Sequence, residues 1–234
     1  MNTINEKKLN ILVVAAHPDD EVLGCGGTIA KYAKEGWRVS IVILGEGISS
    51  RYESRSDADT SQLDNIKETS KGVAKLLGAA EVMHHDLPDN RFDTVPLLDV
   101  VKLIEDHVQR IKPQIVFTHH SGDLNVDHSV VARATLSAVR PIRGTAVRTL
   151  LAYEVPSATD WSFGSLGAQF SPNTFYDIGG QLELKLKAMS MYESELRPFP
   201  HPRSIQAIQA AAVRWGAVAG IQAAEAFQIV HNVV

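Results

Sequence analysis

Short apolar segments alternate with helical patterns along the first two thirds of the chain. Residues 9–16 (LNILVVAA) are almost entirely apolar and rich in β-branched side chains, which is typical of a strand buried on both faces of a parallel sheet. A helix is predicted from Asp20 onward, and further strands are predicted at residues 38–44, 81–84, 114–118 and 148–154. The alternation predicts an α/β fold, a doubly wound, Rossmann-like, mostly parallel sheet with helices on both faces.

The alternation stops after Glu154. Beyond it the sequence predicts a loop at residues 156–180, helices at 181–196 and 204–220, and a last strand at 225–234. A chain of 234 residues with 44% hydrophobic and 21% charged side chains has the proportions of a globular protein. We therefore predict one domain, in which residues 1–154 form the Rossmann-like core and residues 155–234 complete the pocket with loop and helices.

Charge and hydropathy restrict the partners of the protein. The net charge of −4 argues against a nucleic-acid or anionic-membrane surface. The amino-terminal residues carry no apolar leader, and no run approaches the roughly 18 apolar residues of a membrane span. Cys25 is the only cysteine, so no disulfide can form within the chain. We expect a cytoplasmic homo-oligomer that acts on a small molecule.

Polar residues follow the predicted strands at their carboxyl ends. Ligands of open α/β sheets bind outside this edge, so these side chains mark the expected site. They are His17, Asp19, Asp20, Glu21, Glu46, Arg51, Asp86, Asp89, Asn90, Arg91, His119, His120, Asp123, Asn125, Asp127, His128 and Glu154.

His17 and Asp20 lie three residues apart where the first strand enters a helix. At this spacing both side chains can point to one position, and an imidazole nitrogen with a carboxylate oxygen suits a divalent metal such as zinc. Helix capping would explain one acidic residue here but leaves its neighbours unexplained. A third ligand is required. His128 at a helix start is the most fixed candidate, and His119 or His120 could reach the same cavity.

Two segments of the sequence resemble a known family. AHPDDEVLGCGGT (residues 16–28) and HSGDLNVDH (residues 120–128) are similar to motifs of the PIG-L or LmbE-like zinc-dependent N-deacetylases, which remove acetyl groups from N-acetylglucosaminyl compounds. LPDNRFD, YEVPSATDW and FPHPRS extend the similarity over most of the chain.

The resemblance implies a site and an activity. By it, His17, Asp20 and His128 hold Zn²⁺ or another divalent metal, and Asp19 is the general base. Arg51 falls where arginines of this family contact substrate. The implied reaction is hydrolysis of the N-acetyl group of an N-acetylglucosamine-type sugar or conjugate.

One motif departs from the family pattern. Many members carry HPDH where this chain has NVDH, and the first histidine of that motif helps to stabilise the oxyanion. Either Asn125 donates a neutral hydrogen bond there, or His119 or His120 replaces the imidazole. We favour His119 because it is nearer to the strand end. Asp127 would then orient a catalytic histidine.

The sugar requires residues that bind hydroxyl groups. Asp89 and Glu154 lie at strand ends with Arg51, and each is either a substrate contact or an ordinary charged or turn residue. Asn125 is a further candidate for substrate binding. We predict that all four contact the substrate.

Other functions fit the motifs less well. The segment GCGG at residues 24–27 is not the G-x-G-x-x-G of a dinucleotide-binding protein, and acidic residues occupy the place of the pyrophosphate. The serine-hydrolase and P-loop signatures are absent from the sequence. A metal-dependent phosphoesterase and a non-catalytic sugar-binding relative remain as alternatives.

Overall fold

A computed structural model describes residues 9–57, 59–142 and 144–234. The amino-terminal segment, where the sequence predicts no leader, lies outside the described residues. Within the described ranges seven strands form one sheet. They are β1 (Asn10–Ala15), β2 (Arg38–Gly45), β3 (Glu81–Leu87), β4 (Ile115–His119), β5 (Thr149–Tyr153), β6 (Thr174–Asp177) and β7 (Ala224–Asn232).

The strand order is β3-β2-β1-β4-β5-β7-β6. The first five strands pair in parallel, and β7 joins β5 and β6 in antiparallel pairs. β1 pairs with β2 on one side and with β4 on the other, so successive strands are added in opposite directions from this point. This confirms the predicted doubly wound, mostly parallel sheet and opens a crevice beyond the carboxyl ends of β1 and β4.

Helices cover both faces of the sheet. They are α1 (Asp20–Lys34), α2 (Thr60–Leu77), α3 (Leu97–Ile111), α4 (Val126–Ala138), α5 (Leu182–Met191) and α6 (Ile205–Ala219). α1, α2 and α5 pack together on one face, whereas α3 and α4 pack on the other. α6 lies against β6, β7 and α5.

The side chains of β1 are divided between two hydrophobic cores. Ile11 and Val13 belong to the core beneath α1 and α5, whereas Leu12 and Val14 belong to the core beneath α3 and α4. All four side chains are almost completely buried. Because successive residues of a strand face opposite sides, burial on both sides requires an unbroken apolar run. Each such side chain contributes about 1.5–3 kcal/mol relative to its exposed state.

The structure adds features that the sequence pattern did not predict. β6 lies within the segment predicted as a loop, and it is a four-residue strand at the edge of the sheet. So short a strand has little periodicity of its own, and its partner β7 follows about fifty residues later in the chain. The predicted loop after β2 contains two short 3-10 helices at Ser49–Arg51 and Arg55–Asp57.

No helix in the described part of the chain has the length and apolar character needed to cross a membrane. The homo-oligomer and the cytoplasmic location that we expect from the sequence stay predictions.

Gly24 allows α1 to approach β5 closely. A Cβ atom at this position would lie 2.2 Å from Cδ2 of Tyr153, whose hydroxyl donates a hydrogen bond of 2.8 Å to the Val14 carbonyl. Gly24→Ala should therefore force a shift of the ring or of the helix. We expect a loss of about 1–3 kcal/mol in the free energy of unfolding, measured by urea denaturation.

Gly180 provides the matched control for this prediction. A Cβ atom there would meet no atom within 4 Å, so Gly180→Ala should change the free energy of unfolding by less than about 0.5 kcal/mol. Equal effects of the two substitutions would show that the contact with Tyr153 is not a constraint.

Candidate metal centre

The site lies at the crevice beyond β1 and β4. His17 lies two residues after the end of β1, α1 begins at Asp20, and α4 begins at Val126. Asn125 caps α4, because its side-chain oxygen accepts a hydrogen bond of 2.9 Å from the Asp127 backbone N–H. The two helix starts therefore bring the HPDD and NVDH segments together.

Three of the predicted ligands form one buried cluster. His17, Asp20 and His128 each offer a ligand atom, and these atoms lie within 4.8 Å of one another. Asp20 Oδ2 is 3.4 Å from His17 Nδ1 and 3.3 Å from His128 Nε2. Two imidazole nitrogens and one carboxylate oxygen match the three protein ligands of a catalytic zinc site.

Three atoms of this cluster, among them His128 Nδ1, are buried without a hydrogen-bond partner among the described residues, and two of them could bind one ion. Asp20 Oδ1 and His128 Nε2 are buried and have no hydrogen-bond partner among the residues that the structure describes. Buried polar atoms without partners are costly and uncommon. A divalent cation would satisfy both atoms, so the residues present fit a metal ion.

The electrostatics of the cluster favour positive charge. Burial disfavours the charged form of His128, but the nearby Asp20 and Asp123 carboxylates outweigh it and raise the pKa of the imidazole to about 9. For Asp20, burial is outweighed by the nearby histidines, so the pKa of its carboxyl is held well below the usual value. Protons on the histidines and a metal ion would compete for the same place.

Asp127 contacts the Nε2 atom of His17, on the opposite side of the ring from the Nδ1 atom that faces Asp20. Its Oδ2 lies 2.9 Å from His17 Nε2 and accepts a hydrogen bond of 2.7 Å from the Asn90 N–H. Its Oδ1 accepts a hydrogen bond of 2.9 Å from the Phe92 N–H. The structure thus places Asp127 where it can orient a histidine, and that histidine is His17.

His17, Asp89 and Asp127 form a second group whose ligand atoms lie within 4.8 Å of one another. It uses Nε2 of His17, which is 3.2 Å from Asp89 Oδ1. Both carboxylate oxygens of Asp127 already accept backbone N–H groups. We therefore interpret this second group as the support of His17 and not as a second metal position.

Asp123 forms a close charge contact with His128, which the sequence analysis did not assign. Its Oδ2 lies 3.2 Å from His128 Nδ1 and accepts a hydrogen bond of 2.8 Å from the Thr159 hydroxyl. Asp123 stands inside the motif HSGDLNVDH, so its position at a strand end was visible. Its partner was not, because that depends on how the loop closes.

Asp19 adopts an unusual backbone conformation next to the cluster. Its φ is 114°, a region that residues with a Cβ rarely occupy. Its N–H donates a hydrogen bond of 3.0 Å to Glu21 Oε2, and its Oδ2 lies 3.1 Å from Arg203 Nη1. Burial raises the pKa of the Asp19 carboxyl, against the opposing effect of the Arg203 guanidinium.

Arg203 was not among the predicted site residues. The motif FPHPRS contains it, but the sequence does not show that a residue 184 positions away reaches Asp19. Glu21 was noted as a polar residue at the strand end, and no role was predicted for it.

His119 lies in the floor of the site. Its ring stacks on that of His128, with centroids 4.0 Å apart and planes at 19°. Its Nε2 accepts a hydrogen bond of 2.9 Å from the Ala16 N–H and lies 3.1 Å from the Tyr153 hydroxyl. The proton of the neutral ring is therefore on Nδ1, which is buried and has no partner among the described residues.

His120 faces away from the cluster. Its Nε2 is 2.7 Å from the Ala168 carbonyl oxygen, and its ring packs on Phe170.

Two of the four predicted substrate contacts, Asp89 and Asn125, lie next to the cluster, and Arg51 is linked to Asp19 through ion pairs with Glu195 and Arg203. Asp89 is 3.2 Å from His17 and accepts a hydrogen bond of 2.6 Å from the Ser50 hydroxyl. Asn125 donates a hydrogen bond of 3.0 Å to Asn90 Oδ1. Arg51 is exposed and forms an ion pair of 2.5 Å with Glu195, whose other oxygen is 3.8 Å from Arg203.

Glu154 is not brought to the cluster. Its carboxylate accepts a hydrogen bond from the indole N–H of Trp215 on α6. It lines a small cavity of about 30 Å³ with Lys185 and Trp215. Its position at a strand end predicted a substrate contact, but in the structure its carboxylate is hydrogen-bonded to a residue of α6.

Comparison with known proteins defines the family. The fold and the cluster are those of a doubly wound α/β protein with a candidate metal centre at its switch point. The family described as PIG-L, GlcNAc-PI de-N-acetylase, matches residues 12–139, which is more than half of the chain. The protein belongs to the PIG-L family.

Two individual proteins named as deacetylases are similar to this chain in sequence. The chain is 28% identical over 200 residues to the "Uncharacterized deacetylase YaiS" of Escherichia coli, covering 83% of this chain and 95% of that protein. It is 39% identical over 161 residues to the 1D-myo-inositol 2-acetamido-2-deoxy-alpha-D-glucopyranoside deacetylase of Rhodococcus erythropolis, covering 58% of this chain and 54% of that protein.

A solved structure that is named as a hydratase has the same fold. GalB, the 4-carboxy-2-hydroxymuconate hydratase of Pseudomonas putida, superimposes with a TM-score of 0.75 at 23% identity, covering 97% of this chain and 98% of that chain. The fold alone therefore does not determine the reaction.

The support of His17 by Asp127 can be tested through metal affinity. An asparagine at this position offers one acceptor oxygen instead of two and carries no charge, so Asp127→Asn should leave His17 less well oriented. We expect the zinc affinity to fall about 10–100-fold, measured by competition with a chromophoric chelator. Asp99→Asn on the exposed side of α3 is the control and should keep the original affinity. An unchanged affinity in Asp127→Asn would contradict the role of Asp127.

Proposed function

We propose that the protein is a metal-dependent N-deacetylase that hydrolyses the N-acetyl group of an N-acetylglucosamine-type sugar or conjugate. The observation that carries the proposal is the buried His17, Asp20 and His128 cluster, with unpartnered ligand atoms on Asp20 and His128. Membership of the PIG-L family and the names of its relatives support the amide of an amino sugar as the substrate. Zinc is the metal that the donor set suits best.

A divalent metal, when bound here, supplies Lewis acidity that polarises the acetyl carbonyl and activates water for attack. Asp19 is the group that takes the proton from the attacking water and delivers it to the leaving nitrogen. Its carboxylate contacts Arg203 and is not part of the His17, Asp20 and His128 cluster, so in this proposal it is not used as a metal ligand. The overall reaction converts the amide and water into acetate and an amine.

The rim of the site supplies contacts for the sugar. Asp89 is almost completely buried at the edge of the cluster, and its carboxylate can accept hydrogen bonds from substrate hydroxyls. Asn125 and Arg51 add an amide and a guanidinium. We propose these three residues as substrate contacts and leave out Glu154, because its carboxylate is bonded to Trp215.

A screen of substrates distinguishes the two reactions that the compared proteins are named for, deacetylation and hydration. The purified protein should be analysed for bound metal and incubated with N-acetylated amino sugars, their conjugates and unsaturated 2-hydroxy tricarboxylic acids. We expect a loss of acetyl from an amino sugar, detected by mass spectrometry. Addition of water to an unsaturated acid, without deacetylation, would assign the protein to the hydratase activity instead.

Asp19 and His17 should separate catalysis from metal binding. Asp19→Asn keeps the metal ligands and removes the base, so we expect bound metal as in the wild type and a fall in kcat of about 10²–10⁴-fold, with a smaller change in KM. His17→Ala removes a ligand and should lose the metal. Elemental analysis and steady-state kinetics on both variants measure the two effects. Equal metal loss in both would make Asp19 a ligand and not the base.

The donor to the oxyanion stays a prediction between His119 and Asn125. If His119 is the oxyanion donor, the His119→Ala variant should retain the metal and its kcat should fall about 10²–10³-fold. Asn125→Ser keeps an oxygen that can cap α4 and removes only the amide donor. Its kcat should therefore fall less than that of His119→Ala. Loss of metal affinity in His119→Ala would instead show that its ring supports His128 by stacking.

A further inference from the structure

The conformation of Asp19 needs support from its surroundings. A non-glycine residue in a sparsely populated backbone region costs about 1–3 kcal/mol and persists only where its neighbours hold it. Asp19 has φ 114° and ψ −30° and makes no side-chain cap to its own helix. Its side chain is therefore held by tertiary contacts and not by the start of α1.

Two contacts hold Asp19 from opposite ends. The backbone N–H donates to Glu21 Oε2 at 3.0 Å, and Glu21 Oε1 accepts a hydrogen bond of 2.6 Å from the Tyr192 hydroxyl. The carboxylate contacts Nη1 of Arg203 at 3.1 Å. Glu21 therefore fixes the backbone, and Arg203 fixes the direction of the carboxylate.

Arg203 is itself held in place. Its Nε donates a hydrogen bond of 3.0 Å to the Ser157 hydroxyl and lies 3.4 Å from the Pro156 carbonyl oxygen. Its backbone N–H donates to His201 Nδ1 at 3.0 Å. The side chain is only 21% exposed. Because the planar guanidinium uses one edge for Ser157, the other edge is directed at Asp19.

We propose that Arg203 is the positioning residue of Asp19, an inference that rests on the proposed deacetylation. It holds the carboxylate in the orientation from which Asp19 takes the proton of the attacking water. A second connection runs from Arg203 to Glu195 at 3.8 Å and from Glu195 to Arg51. The base and the proposed substrate contact Arg51 are thus joined through one chain of charged groups.

The central test replaces Arg203 by methionine, which fills similar space without charge or donors. A misplacement of a catalytic group by about 1 Å costs about 10²-fold in rate. We therefore expect Arg203→Met to lose about 10²-fold in kcat, with KM within about threefold of wild type. Zinc affinity should not change, because Arg203 contacts no metal ligand in the hydrogen bonds and ion pairs of the described residues.

Arg197 is the matched control. It lies six residues before Arg203 in the same segment and is exposed, and its guanidinium donates only to the Ser194 and Leu196 carbonyls among the described contacts. Arg197→Met should keep kcat, KM and zinc affinity. A similar loss in both variants would mean that the segment responds to any change of charge.

Two measurements keep the proposal testable if Arg203→Met folds poorly. Ser157→Gly removes the hydroxyl that orients Arg203 and tolerates the positive φ of 74° at this position, so it should cause a smaller fall in kcat with unchanged KM. Guanidinium ion at low, non-denaturing concentration should restore part of the activity of Arg203→Ala. It should not restore Asp19→Asn, because that variant lacks the base.

A crystal structure of Arg203→Met provides a readout that does not depend on activity. We expect the Asp19 carboxylate to be rotated or disordered, while His17, Asp20 and His128 superimpose on the wild type. An unmoved Asp19 together with a wild-type kcat would overturn the inference about Arg203. Wild-type protein that deacetylates no substrate would instead overturn the proposed function, so the two failures are distinguishable.

Discussion

The carboxylate of Asp127 joins three segments that are distant in the sequence. It accepts backbone N–H groups from Asn90 and Phe92 after β3 and lies 2.9 Å from His17 Nε2 after β1. Asp127 stands in the first turn of α4, directly before the candidate ligand His128. One buried side chain therefore aligns the first histidine while its neighbour supplies the second, and the geometry of the cluster depends on this arrangement.

Burying several carboxylates is energetically unfavourable, and this explains why each of them has polar or charged partners in the site. Asp19, Asp20, Asp89, Asp123 and Asp127 are each at most 3% exposed. Buried carboxylates require hydrogen bonds, cations or protons. Backbone N–H groups satisfy Asp127, the Ser50 and Thr159 hydroxyls bond Asp89 and Asp123, and Arg203 pairs with Asp19. Among the described residues, the hydrogen bonds and ion pairs of Asp20 involve the His17 backbone N–H and the His17, His119 and His128 rings, and a divalent cation is the further partner that we propose for it.

The same fold occurs in proteins whose names state different reactions. A deacetylase is among the relatives of this chain, and a solved structure named as a hydratase superimposes over nearly the whole chain. A metal centre that polarises an oxygen and activates water can serve either reaction. The choice then lies with the side chains that hold the substrate and move protons, for which we propose Asp19 with Arg203, and Asp89, Arg51 and Asn125.

The sequence by itself determined the parallel strands of the sheet, the helix that begins at Asp20, and the candidate ligands His17, Asp20 and His128 that the structure brings together. The apolar run of β1 and the motifs around His17 and His128 are local patterns, since burial on two faces and the approach to a helix start are encoded within a few residues. Only the tertiary structure decided that Arg203 reaches Asp19, that Asp127 supports His17, and that Glu154 belongs to Trp215. These pairs lie 61 to 184 residues apart, and a side chain meets such a partner only where packed helices and loops place it, which no local period of the sequence records.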